Sequence, residues 1–263
     1  MIRVLSLAWV LWLAMLRRKD LYVLLILLGA LLVTLVSMNV FGLSGMIRYV
    51  ADTGFLLAWL FGWILAIMIS ARELPSEQAR GTIYSLLAKP VTRAEVILGK
   101  WFGAWTVVSA ATLAFYALVT AVVLARQGRM DPLTLTQAYL LHAVALAVIV
   151  SMAMLFSTRL NSDAASSLSF VLTGAAFLVV PRVPEFMASS TGTASYALML
   201  TYHLLPHFEV LDLRQRVVHD FGPMDWGTFA LAAFYGCALT VLFLFFSWLA
   251  FRNKRFVRGE LSQ

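Results

Sequence analysis

Residues 101–125 read WFGAWTVVSAATLAFYALVTAVVLA, a run with no acidic or basic side chain. About 20 apolar residues at 1.5 Å rise cross a hydrocarbon core of about 30 Å, and in lipid a helix satisfies all of its own backbone hydrogen bonds. Working outward, 21–41, 53–71, 134–156, 164–180 and 227–251 repeat the pattern, with 164–180 the shortest. The expected fold is an all-α membrane protein with six transmembrane helices, forming one domain over 1–263.

Composition agrees. Of the 263 residues 62% are hydrophobic and 13% charged, against roughly half and a quarter in soluble domains. The net charge of +7 would suggest nucleic acid in a soluble chain, but the basic residues fall between apolar runs and read as topology signals, so no nucleic-acid partner is expected. The single cysteine, Cys237, excludes an intrachain disulfide and a cysteine metal cluster. Residues 2–16 are apolar but too short to cross, and Arg17, Arg18 and Lys19 follow where a signal peptide would have a small-residue cleavage site. Residues 1–20 are expected to stay in the mature chain as a helix lying in the cytoplasmic interface.

With the N-terminus inside, 14 Lys and Arg fall on the cytoplasmic side and 6 outside: Arg48, Arg126, Arg129, Arg182, Arg214 and Arg216. The expected location is the cell (inner) membrane with both termini cytoplasmic. Residues 196–205 are apolar enough to suggest a seventh crossing, but 189–195 are rich in Ser and Thr, and a seventh span would put the Arg252–Arg258 cluster outside. The stretch therefore reads as external or re-entrant, within an external segment 181–226. Trp101 and Trp105 at the start of one span, and Trp226 and Trp248 bracketing another, suit interfacial anchors.

The cytoplasmic stretch 72–100 reads RELPSEQARGTIYSLLAKPVTRAEVILGK. Thr82 can cap a two-turn helix with Ile83, Leu86 and Leu87 on one face, and Pro90 ends it. Thr92 and Glu95 form a Thr-x-x-Glu capping box, so the next helix begins inside the cytoplasm. The apolar face suits either docking on a soluble partner or packing on the protein's own spans.

The order Glu77, Gly81, Thr82, Leu86, Leu87, Pro90, Thr92, Arg93, Gly99, Lys100 resembles that of permeases of ATP-binding-cassette (ABC) transporters of the type-2 exporter family. The interfacial N-terminal helix, six spans and long external stretch extend the resemblance over the chain. It implies that 82–89 is a coupling helix contacting an ABC ATPase subunit, with Glu77 and Arg93 as flanking polar braces. It also implies a second permease subunit, either a copy of this chain or a related one. The only Gly-Lys pair, Gly99-Lys100, lacks the glycine and hydroxyl residue of a phosphate-cradling loop, so ATP and magnesium are expected on the partner and no cofactor on this chain. Gly99 and Gly103 form a G-x-x-x-G that close packing within the subunit explains as readily as a dimer.

No Asp, Glu, Lys or Arg occupies the centre of a span, which disfavours proton-driven transport. His142 lies within a span near its external end and reads as a satisfied interfacial histidine rather than a proton relay. The apolar interior suits an amphipathic or lipid-linked cargo, or mechanical work on an external partner protein. His203, His207 and His219 lie near carboxylates and are candidate metal ligands; alternatively, this stretch covers the external mouth, with Arg214 and Arg216 paired to carboxylates. A competing function is a non-transporting membrane anchor or assembly subunit. An intramembrane enzyme lacks its reactive motifs.

Overall fold

The computed structural model describes residues 2–16, 47–79, 92–126, 128–189 and 192–252, together with 22, 23, 26, 27, 29–31, 33 and 34. Among these every regular element is a helix or 3-10 turn, and there is no strand. The helices are α1 (Ile2–Leu16), α2 (Ile47–Ala79), α3 (Arg93–Ala125), α4 (Pro132–Ser157), α5 (Ser162–Leu178), α6 (Val183–Ser189), α7 (Thr193–Leu204), α8 (Arg214–Val218) and α9 (Trp226–Arg252). Short 3-10 turns at Val180–Arg182 and Phe208–Leu211 join them.

Among the described residues five helices are long and apolar enough to cross a membrane: α2, α3, α4, α9, and the run of α5 into α6 over Ser162–Ala188. The sequence-predicted span 164–180 is thus the core of a longer helix. The sixth expected span, 21–41, falls largely outside the described residues. Helix α7 has 12 residues, about 18 Å long, too short for a crossing.

Helix α4 is the pillar. It packs against α2, α3, α5 and α9, and Leu141, Leu146, Val148, Ile149 and Val150 on it are fully buried. Helix α9 keeps Leu231, Phe234, Val241 and Phe245 more than half exposed, as expected of a surface solvated by lipid rather than water. The sequence reads α3 and α4 alike as apolar on all sides; only packing separates pillar from rim.

Helices α3 and α4 run antiparallel, and hydrogen bonds step one turn at a time along their seam. Trp101 Nε1 donates to the Ala147 carbonyl (3.2 Å), Trp105 Nε1 to the Ala143 carbonyl (2.8 Å), and Tyr139 Oη to the Ser109 carbonyl (3.1 Å). The two indoles stack with centroids 5.5 Å apart. Both indoles thereby brace α3 against α4. The physical reason is that buried indole N–H groups need acceptors, and alanines leave the backbone of α4 within reach. Trp226 is 59% exposed.

Helix starts follow local rules. Asp131 caps α4 before Pro132, Asn161 caps α5 through the Ala164 amide (2.9 Å), and Asp225 accepts from the Gly227 and Thr228 amides before α9.

Candidate functional site

One end of the bundle gathers α1, the end of α2, the start of α3 and the end of α9. The sequence ends the second span near 71, yet α2 continues to Ala79 through Pro75. Proline removes one backbone donor there, and two interactions hold the extension: Leu74 is fully buried, and the carboxylates on either side of it, Glu73 and Glu77, share one cation. Lys100, on the first turns of α3, places Nζ 3.1 Å from Glu73 Oε2 and 2.7 Å from Glu77 Oε1. Glu73 and Glu77 are one helical turn apart and would repel; a lysine only 4% exposed sits between them.

The other root of the segment is fixed by Thr92. Its Oγ1 accepts from the Glu95 amide (3.2 Å) while Glu95 Oε2 accepts from the Thr92 amide (2.7 Å), which is the complete capping box expected. Arg93 then reaches across to α9, its Nη1 donating to the Phe251 (2.8 Å) and Arg252 (2.6 Å) carbonyls. A cation at the last carbonyls of a helix satisfies orphan acceptors and complements the helix dipole.

Helix α1 closes this end. An added Cβ on Gly103 would meet the Ala8 Cα at 2.9 Å, so the second glycine of G-x-x-x-G serves close packing within the chain. Trp12 Nε1 donates to Thr106 Oγ1 (2.9 Å) beside it.

Of the sequence-predicted coupling residues, Glu77 and Arg93 are thus brought to the same end of the bundle. Gly81, Thr82, Ile83, Leu86, Leu87 and Pro90 lie outside the described residues. Lys100 takes a larger part than the sequence suggests: among the described residues it is the cation that joins the two roots. The Glu-x-x-x-Glu spacing of 73 and 77 is the signal for it, masked by the intervening Pro75.

The family follows from the sequence profile described as ABC-2 family transporter protein, which matches residues 13–255. The chain belongs to that family. No curated protein matches it significantly. This ABC-2 chain is accordingly a multi-pass membrane protein and a permease subunit of an ABC transporter, a class that works with an ABC ATPase partner.

The opposite end of the ABC-2 permease carries the segment expected to be external. Buried Gln137 on α4 holds the approach to α9, exchanging hydrogen bonds with the Met224 carbonyl (3.0 Å) and amide (2.8 Å). Arg214 forms an ion pair with Asp212 at 2.7 Å and lies over the rings of Trp59 (5.6 Å) and Phe177 (5.2 Å). Arg216 donates instead to the Gly222 carbonyl (3.5 Å).

The three candidate metal-ligand histidines do not converge. His203 Nδ1 lies 2.8 Å from the Met199 carbonyl, His207 packs against Tyr202 and Tyr235, and His219 stacks on Phe221. Among the described residues no group of three His, Cys, Asp or Glu is placed to hold a metal.

His142 requires a correction. It is not interfacial but fully buried, ten residues into α4 and so about 15 Å from its start. Its ring lies flat on Trp59 with centroids 4.1 Å apart, and among the described residues neither ring nitrogen has a hydrogen-bond partner. The ring is covered by the Trp59 indole, a contact that the one-helix reading of the sequence could not contain.

Proposed function

We propose that this chain is the permease of an ABC exporter in which ATP binding by a separate ATPase subunit, which holds the nucleotide and magnesium, moves the segment between Glu77 and Lys100 and thereby reshapes a path between two permease subunits. One observation carries the reading: both roots of that segment are tied into the bundle, by Lys100 on Glu73 and Glu77 and by Arg93 on the end of α9. A push on 82–89 would then reach α2, α3 and α9 together rather than being lost in a loose connector.

Six crossings with both termini cytoplasmic complete the proposal. Ala8 lies against Gly103 at the charged end, whereas Ile47 lies beside Gly128 at the other. The chain therefore changes ends between them, which supports a crossing over 21–41. An amphipathic or lipid-linked cargo, or work on an external protein, suits a bundle whose span centres lack ionised groups.

The test is to purify the chain with the ATPase encoded beside its gene and replace Leu86 and Leu87 by Asp. Lost assembly, or ATP turnover reduced at least tenfold, is expected; unchanged assembly and turnover would refute the coupling role.

A further inference from the structure

At the end of the bundle opposite the charged roots, a cavity of about 310 Å³ opens between the end of α5 and the stretch before α8. Phe177 and Leu178 form its apolar wall, while Arg182, Glu209, Asp212 and Arg214 form its polar wall. The floor is fixed: Arg214 uses Nε and Nη2 on Asp212 and is 8% exposed. The rim differs, since Arg182 and Glu209 are both exposed and, among the described residues, form no ion pair with each other or with the floor.

A cavity that offers one cation and one anion outside an already neutral pair complements a ligand carrying both signs. It is too small for a lipid but of the size of a head group, near the lower end of ligand-site volumes of roughly 300–1,000 Å³. The apolar part has a track of its own. Leu168, Val171 and Leu178 on α5 are 37%, 67% and 61% exposed and share one helical face, spaced by three and seven residues. That face runs about 15 Å along the bundle and ends at the cavity mouth.

We propose that this cavity binds the zwitterionic head group of an amphiphile, a phosphate diester against Arg182 with its ammonium against Glu209, while an acyl chain lies along α5. The proposal names the cargo class of the permease and in that respect rests on the function proposed above. Binding itself is measured on the full-length chain without its ATPase, so a chain that binds the head group yet fails to couple separates the two.

The experiment titrates purified chain in detergent with short-chain phosphatidylethanolamine, phosphatidylglycerol and free phosphoethanolamine, reading bound ligand by native mass spectrometry. Phosphatidylethanolamine is expected to bind at least tenfold tighter than either of the others. Glu209→Gln should abolish the preference over phosphatidylglycerol, and Arg182→Gln should weaken both lipids about tenfold; both side chains are exposed, so neither change threatens folding. Equal binding of all three ligands, tighter binding of phosphatidylglycerol, no binding, or a preference unchanged in both variants would overturn the proposal.

Discussion

Lys100 shows how a single charge is tolerated at the edge of an apolar bundle. It faces two carboxylates at hydrogen-bond distance, so its desolvation is offset by two charge-assisted bonds. Lys100→Met removes the cation and leaves Glu73 and Glu77 facing each other. Breaking a buried pair costs about 3–5 kcal/mol; because the Glu77 side chain retains 24% exposure, the expected cost is about 2–3 kcal/mol, seen as a melting temperature lowered by about 5 °C or more. Glu73→Gln and Glu77→Gln added to Lys100→Met should recover at least half of that loss, and no recovery would show that the lysine acts through packing alone. A second residue sets a pH response. Thr134, through its hydroxyl and its amide, holds the Asp131 carboxyl below the ordinary carboxylate value. A lowered folded value means that the cap stabilises α4 above the unfolded pKa of about 3.9 and loses its contribution as pH falls through the folded value. The stability difference between the protein and its Asp131→Ala variant should therefore be constant from neutral pH to about 5 and shrink below about 4.

At the scale of elements, α1 depends on one glycine. Gly103 lets the backbone of Ala8 approach α3 more closely than any Cβ permits, and Leu11 buries beside it. Gly103→Val should lift α1 from α3, raising hydrogen exchange over residues 2–16 while α4 stays protected; unchanged exchange in α1 would remove the close approach as its anchor. The contrast between α1 and α4 also marks what the sequence makes legible. Long apolar runs disclose the helices, and the Thr92–Glu95 capping box discloses the first residue of α3, because length and caps are local properties; the starts of α4 and α5 lie two residues before the apolar runs at 134 and 164, at the Asp131 and Asn161 caps. The continuation of α2 past Pro75 is not legible, since it depends on Lys100, which follows in the chain only after the entire coupling segment. The indoles of Trp101 and Trp105 are likewise ambiguous until α4 presents the Ala143 and Ala147 carbonyls. His142 on Trp59 needs two residues, on different helices, that the sequence separates by more than eighty positions.

At the scale of the whole molecule, two ends with different chemistry emerge. One holds Glu73, Glu77, Arg93, Lys100 and the turn between α4 and α5, where Ala71, Ala153 and Ala165 pack tightly and Arg159 lies close by in the chain. The other holds Asp52, linked to Gln215 at 3.3 Å, with Asp131, Gln137 and the Arg214 pair. If the first end is cytoplasmic, the basic excess lies where anionic lipid and the inside-positive bias favour it. This assignment is open to direct measurement. In a Cys237→Ser background, single cysteines at exposed Arg129 or Asp220 should react with an impermeant maleimide added to intact cells. A cysteine at exposed Leu160 should react only after permeabilisation. Labelling of 160 from outside would invert the bundle and move the coupling segment away from the ATP supply, while labelling of 129 and 160 from the same side would break the antiparallel crossing of α4 itself. Because α4 is braced turn by turn against α3, opposite labelling at its two ends fixes the sidedness of both helices, and with it the side on which Lys100 and Arg93 receive force.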